Sequence, residues 1–280
     1  METTPTLLAL LQTHYPDSSI SSLRSWIKLG RVLVNGEVIK KPGDHCSSDA
    51  SIELLSQTAT QHRKFAGMRI LYEDNRLVAI DKPAGMLSVP AAGKESHALG
   101  FLKRYLNTPH LYPVHRIDKG TSGIMIFAKG IDSERKFDTV FEQHDIVREY
   151  IAVTEGNVEK DEGTFSCYIK EQSLYKMSLT RYPKDGKLAV SHYKTVKRSD
   201  NFSYLLFSLE TGRKHQIRVH CQAMGHPIIG DRLYGAYGSP MKRIALHALR
   251  LSFTHPFTHK ILDLYSSIPA AFKKLGFPDL

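Results

Sequence analysis

Four β-prone runs, Glu149 to Val153, Thr164 to Ile169, Ala189 to Val196 and Tyr204 to Leu209, follow one another with no helical stretch between them. Strands in such succession can be joined by hairpins, whereas a parallel pair needs a long crossover, usually a helix. The chain is therefore expected to form an α+β domain on a largely antiparallel, mixed central sheet flanked by helices, not a regular βαβ winding. Further strands are expected at Leu77 to Ile80 and Gly123 to Ala128, and helices at Ala98 to Leu106, Ser133 to Gln143 and Gln216 to Met224.

Residues 1–57 read as a separate small module of two helices and a hairpin. Leu7 to Leu11 make a short apolar helix, and Ser18 to Ser22 cap a second in which Leu23, Trp26 and Ile27 fall at i, i+3 and i+4. Gly30 ends it, and Asn35-Gly36 between two β-prone runs is a strong hairpin signal, with one more strand at Ser51 to Leu55. Residues 58–67 are polar and basic without apolar periodicity, so they read as a linker into a domain spanning 68–280.

With 38 Lys+Arg against 28 Asp+Glu, a formal charge of +10, the chain favours a polyanionic partner. Arg24, Lys28, Arg31, Lys40 and Lys41 gather around the second helix and the hairpin, where they can meet successive phosphates or form a solvated face. Cys46, Cys167 and Cys221 are far apart, odd in number and lack CxxC spacing, which fits a reducing compartment. No run approaches a membrane span and the first residues lack a signal-peptide pattern, so a cytoplasmic monomer is expected. GxxxxGK[ST] and GxGxxG motifs are absent, which argues against ATP- or NAD-driven chemistry. The nearest histidine pairs, His215/His220 and His255/His259, do not reproduce a HExxH arrangement, so no metal and no cofactor is expected.

The segment from Pro113 to Gly123, PVHRIDKGTSG, holds Asp118 between basic residues and a Gly/Thr/Ser turn, just before the apolar run Ile124 to Ala128. A loop anchored on a buried strand can hold a carboxylate still for chemistry, although a turn aspartate can also simply bond its own backbone amides. A carboxylate acting as nucleophile must be kept ionised and aimed by a cation.

This loop resembles the HR-(L/I)-D-x-x-TSG signature of the RluA family of RNA pseudouridine synthases. Residues 209–220, LETGRKHQIRVH, resemble that family's second signature and continue into GHPIIGDRLYG, while Arg148 to Gly156 resemble its (K/R)-x-Y-x-A-x-x-x-G strand. Residues 21–43 resemble an S4 RNA-binding domain. The resemblance implies a pseudouridine synthase fold, and an isomerase needing no cofactor, that converts uridines of structured RNA to pseudouridine. Ribosomal RNA, large-subunit RNA especially, is the first expectation, with tRNA second and a non-catalytic RNA-binding or chaperone protein as the alternative. It further implies Asp118 as nucleophile, Arg218 as the arginine paired with it, and Tyr150 as the active-site tyrosine.

By the same resemblance Arg116 enters the space left by an extruded base, and Arg213, Lys214 and His115 contact RNA. On helical spacing, Lys214 and Arg218 are expected on one face. The Asp81-Lys82-Pro83-Ala84-Gly85 turn and the Leu246-His247-Ala248 segment are expected to be scaffold. Lys119-Gly120 departs from the family's frequent acidic second position, and the extra glycine is expected to loosen the loop.

Overall fold

A computed structural model of the chain describes residues 4–16, 18–28, 32–39, 41–54, 64–91, 96–142, 146–173 and 175–278. In the amino-terminal part, α1 (Leu7–His14) and α2 (Ile20–Lys28) are followed by β1 (Val32–Val34), β2 (Glu37–Val38) and β3 (Ile52–Leu54) in the antiparallel order β2-β1-β3. The Thr6 hydroxyl accepts from the amide of Ala9 and caps α1. Asn35 and Gly36 take φ of 51° and 82°, the left-handed pair that a two-residue I′ hairpin turn requires. Leu7, Leu10 and Leu11 of α1, Leu23 and Ile27 of α2, and Val32 and Val34 of β1 form its core.

The second body is built on one twelve-stranded sheet. Its first half comprises β4 (Lys64–Phe65), β5 (Met68–Glu73), β6 (Leu77–Lys82), α3 (Ala98–Tyr105), β7 (Leu111–Pro113), β8 (Ser122–Lys129) and α4 (Ile131–Glu142). Then come β9 (Ile146–Glu155), β10 (Glu162–Ser173), β11 (Lys176–Thr180), β12 (Lys187–Arg198), β13 (Phe202–Leu209), α5 (Gln216–Ala223), β14 (Leu246–Thr254), β15 (Ile261–Tyr265) and α6 (Ala270–Lys274). The order is β11-β10-β12-β13-β9-β14-β8-β6-β5-β4, with β15 on β14 and β7 on β8. Among the described strands the one parallel pair is β8 with β14, so the sheet is mixed and largely antiparallel, as the uninterrupted run of strands predicts.

The apolar run in β8 is continuous because both its faces are covered. Ile124, Ile126 and Ala128 pack with Phe137 of α4, while Met125 and Phe127 pack with Ala98 and Leu102 of α3. Residues 55–63, including most of the expected linker, lie outside the described residues. Lys64 and Phe65, expected within that linker, instead pair with Arg69 and Met68. The Ala66-Gly67 turn between them takes φ of 47° and 77°, so a left-handed turn ties this polar stretch to the sheet. Among the described residues no helix is long and apolar enough to cross a membrane.

Candidate active site

Asp118 lies between β7 and β8, where the central sheet brings β8 against β14. A side chain on Gly123 would meet the Ala248 carbonyl at 2.1 Å, so only glycine permits this approach. The loop is braced from three sides. The Ser88 hydroxyl donates to the Ile117 carbonyl (2.6 Å), the Gly85 amide donates to the Lys119 carbonyl (2.7 Å), and Arg243 reaches the Ser122 hydroxyl (2.7 Å). Gly120 packs under Ile244, where a Cβ would lie 2.7 Å from the isoleucine Cδ1. The expected loosening is therefore absent, since the loop's polar groups are tied to rigid neighbours and its glycine fills a tight space.

Lys82, expected only as scaffold, is fully buried below this loop and donates to the carbonyls of Pro83 (3.0 Å), Met86 (2.8 Å) and Thr121 (2.8 Å). Burial lowers its pKa to about 7, against the opposing pull of the Asp118 carboxylate. Three acceptors match the three N–H groups of an ammonium, and that ammonium adds positive charge beneath the carboxylate.

Arg218, the third residue of α5, joins two carboxylates. Its Nη1 donates to Asp118 Oδ2 at 3.1 Å, while Nε and Nη2 fork onto Asp231 Oδ2 and Oδ1 at 2.7 and 2.9 Å. The Asp231 side chain is 1% exposed, that of Arg218 7% and that of Asp118 24%, so the clamp is buried and the Asp118 carboxylate faces the cleft. Burial alone would lower the arginine's pKa, but the two carboxylates, Asp231 foremost, outweigh it and raise it. Asp231 thus holds the guanidinium in the orientation from which it reaches Asp118.

Tyr234, 1% exposed, organises the same region. Its ring centroid lies 4.8 Å from the Arg218 guanidinium. Its hydroxyl accepts from the Met177 amide (3.0 Å) and lies 2.8 Å from His215 Nδ1. His215 Nε2 lies 3.8 Å from Asp118 Oδ2, so the imidazole stands between the phenol and the carboxylate. Burial lowers the pKa of His215, favouring the neutral ring.

Tyr150, in β9, completes the cleft. Together with Arg116, Asp118, His215 and Arg218 it lines a cavity of about 70 Å³ that shares Arg116, Tyr150, Leu209, Gly212 and Arg213 with a neighbouring one of about 470 Å³. Joined, they reach the size of a small-ligand site. Burial raises the Tyr150 phenol to about 12, so it is a neutral hydroxyl near pH 7.

The structure thus brings Asp118, Tyr150, Arg218, Arg116 and Arg213 to one cleft, and one expectation, the shared helical face of Lys214 and Arg218, needs correction. His115 is half-buried and lines the cavity of about 470 Å³ beside Arg116; its Nε2 accepts from the Ile126 amide (3.1 Å), its ring stacks on Phe141 and burial lowers its pKa to about 3. Lys214 does not share a helical face with Arg218: His215 adopts φ of 57°, α5 starts only at Gln216, and Lys214 points to Glu171 at 2.9 Å. In the amino-terminal part Arg24 and Lys41 are exposed, whereas Arg31, Lys40 and the Lys28 side chain lie outside the described residues.

Sequence reasoning gave no role to Asp231, Tyr234, His215 or Arg148. The first two stand in the GDRLYG run that follows the second signature, and the rule that a buried charge needs a partner could have pointed from Arg218 to Asp231.

Comparison with known proteins matches these elements. Residues 76–223 match the RNA pseudouridylate synthase family model and residues 7–52 the S4 domain. Proteins named ribosomal large subunit pseudouridine synthase D are similar throughout. That of Pasteurella multocida is 32% identical, covering 93% of this chain and 87% of its own, and that of Yersinia pestis 34%, covering 91% and 85%. The human RNA pseudouridylate synthase domain containing 1 structure superposes with a TM-score of 0.61 at 22% identity, over 72% of this chain and 86% of that one, and shares its fold. A braced aspartate, an arginine clamped beside it and a half-buried tyrosine thus occur in a chain that belongs to the RNA pseudouridine synthase family and carries an S4 domain at its amino end.

Proposed function

We propose that this protein isomerises specific uridines of large-subunit ribosomal RNA to pseudouridine, with Asp118 as nucleophile, Arg218 as its charge partner and Tyr150 as the residue facing the base. The observation that carries this reading is the Asp118–Arg218–Asp231 chain: one carboxylate is left at the cleft while the other fixes the cation beside it.

The uridine must first leave its stack, at a cost of a few kcal/mol. Arg116, exposed at the rim, has a planar guanidinium suited to stacking in the gap. The carboxylate of Asp118 then attacks C1′ of the ribose or C6 of the base, with Arg218 limiting the cost of bringing that charge to the substrate. The N1–C1′ bond breaks, the uracil turns within the cleft, a bond forms between C5 and C1′, and the bond to Asp118 breaks, which restores the free carboxylate. The proton at C5 is lost and N1 gains one, so no group enters or leaves overall. The Tyr150 hydroxyl supplies a donor to a uracil carbonyl and a face for the ring.

The S4 domain and the exposed cations Arg24 and Lys41 suit a second grip on the RNA phosphates. We propose an S4 domain at 1–57 and extend the expected catalytic domain, 68–280, back to Lys64, since β4 pairs with β5. A soluble protein working on ribosomes in the cytoplasm as a monomer agrees with this role.

The test is tritium release from large-subunit RNA transcribed with 5-³H-uridine, alongside tRNA transcripts. Release from the large-subunit RNA, with none from the Asp118→Asn variant, is the expected result. Release from tRNA alone would overturn the choice of RNA, and release by Asp118→Asn would overturn the role of the aspartate.

A further inference from the structure

Arg148 presents a buried guanidinium without a carboxylate. It is 9% exposed and its Nη2 donates to the Glu210 carbonyl at 2.7 Å, but its Nε, also buried, has no hydrogen-bond partner among the described residues. No acidic side chain pairs with it among the described residues. A cation held so far from solvent without its counter-charge is costly to the fold, and such a cost is commonly retained where a ligand supplies the charge.

The surroundings favour an anion. Arg148 lines the cavity of about 470 Å³ with Arg116 and Arg213, against one lining carboxylate, that of Asp138. Burial lowers the pKa of Arg148, Tyr150 opposes that shift and the nearby Arg213 adds to it. Gly212 makes room for this guanidinium, since a Cβ there would lie 2.8 Å from Nη1.

Position relative to the base follows from the strand. Arg148 and Tyr150 are two residues apart in β9 and so project from the same face, about 7 Å apart along the chain. That spacing suits a nucleotide whose base lies at Tyr150 and whose backbone phosphate lies at Arg148.

We propose that Arg148, with Arg116 and Arg213, forms a pocket for one of the two phosphodiesters flanking the extruded uridine. Guanidinium forks bind phosphate oxygens in pairs, which fixes the nucleotide's register as well as its charge. This deepens the isomerase reading and rests on it, because it assumes that the strand carrying the target enters the cleft.

The experiment uses the full-length protein and a short RNA containing the mapped target uridine. The phosphate on its 5′ or 3′ side is replaced by a neutral methylphosphonate. In the wild type, one of these replacements is expected to weaken RNA binding about ten- to hundred-fold, the range for a hydrogen bond to a charged group. In Arg148→Met, where Arg116 and Arg213 remain, that replacement should cost several-fold less than in the wild type. Gly212→Ala keeps the arginine but displaces it, and should show the same loss of coupling if Arg148→Met fails to fold. Full, additive losses from replacement and substitution at both phosphates would overturn the proposal. If the mapped RNA releases tritium but the variants show no loss of coupling, the phosphate pocket alone fails; absence of release, and so of a mapped uridine, counts against the isomerase reading.

Discussion

Asp231 touches no part of the cleft around Asp118 that faces substrate, yet Asp231→Asn is expected to damage both stability and turnover. The wild-type side chain is 1% exposed and accepts two charge-assisted bonds, at 2.7 and 2.9 Å, from a guanidinium that is itself buried. Removing one partner of a buried ion pair costs about 3–5 kcal/mol. Arg218 keeps its bond to Asp118 and asparagine keeps one acceptor, which places the expected loss near the lower limit, about 3 kcal/mol. For a domain of this size that is a fall in Tm of roughly 6–12 °C, measurable by calorimetry.

The freed guanidinium can then turn toward Asp118, the carboxylate left to it, and pull the nucleophile off line. A displacement near 1 Å costs on the order of 100-fold in rate, so single-turnover tritium release should slow by about that factor at saturating RNA. Asp118→Asn supplies the contrast: its side chain is 24% exposed and holds one of the three arginine bonds, so Tm should change little while turnover disappears. An Asp231→Asn protein with wild-type Tm and rate would refute the clamp.

Tyr234→Phe removes the hydroxyl bonded to His215 while keeping the ring under Arg218; kcat should fall about tenfold with little change in KM, and an unchanged kcat would show that this bond does not serve the reaction. Acid should unfold the protein through its buried neutral histidines. Burial lowers the pKa of His220 to about 4 and that of His247 to about 3, against an ordinary 6.5. Their stabilising contribution is complete above pH 6.5 and is lost as pH falls toward those folded values, at most about 2 kcal/mol each by pH 5. Denaturant titrations should show this slope flattened in His220→Asn. Deleting residues 1–57 should weaken RNA affinity and its salt dependence while single-turnover chemistry at saturating RNA persists; loss of that chemistry would contradict the division of roles.

Much of this architecture is legible in the chain because local signals and the fold agree. The four consecutive β-prone runs became β9, β10, β12 and β13, and Asn35-Gly36 makes the turn its residue types favour. The aspartate and its arginine were legible through motif context. Their support was not, because it depends on approach between distant segments: Asp231 meets Arg218 across thirteen residues, and Lys82 meets the Thr121 carbonyl across thirty-nine. His115 shows the converse. It stands beside Arg116 in a basic loop, yet alternate projection turns its ring inward onto Phe141, which charge patterning does not reveal. The left-handed His215 likewise shifts the start of α5, and a single non-glycine residue at positive φ leaves no mark in helical spacing.

The central claim is that Asp118 performs the isomerisation. Large-subunit RNA transcribed in vitro, and so free of pseudouridine, is incubated with equal amounts of wild type and Asp118→Asn, then mapped by carbodiimide-blocked primer extension. Stops at one or a few uridines with the wild type and none with the variant are predicted. Stops that persist with Asp118→Asn, or their absence with the wild type, would contradict the account.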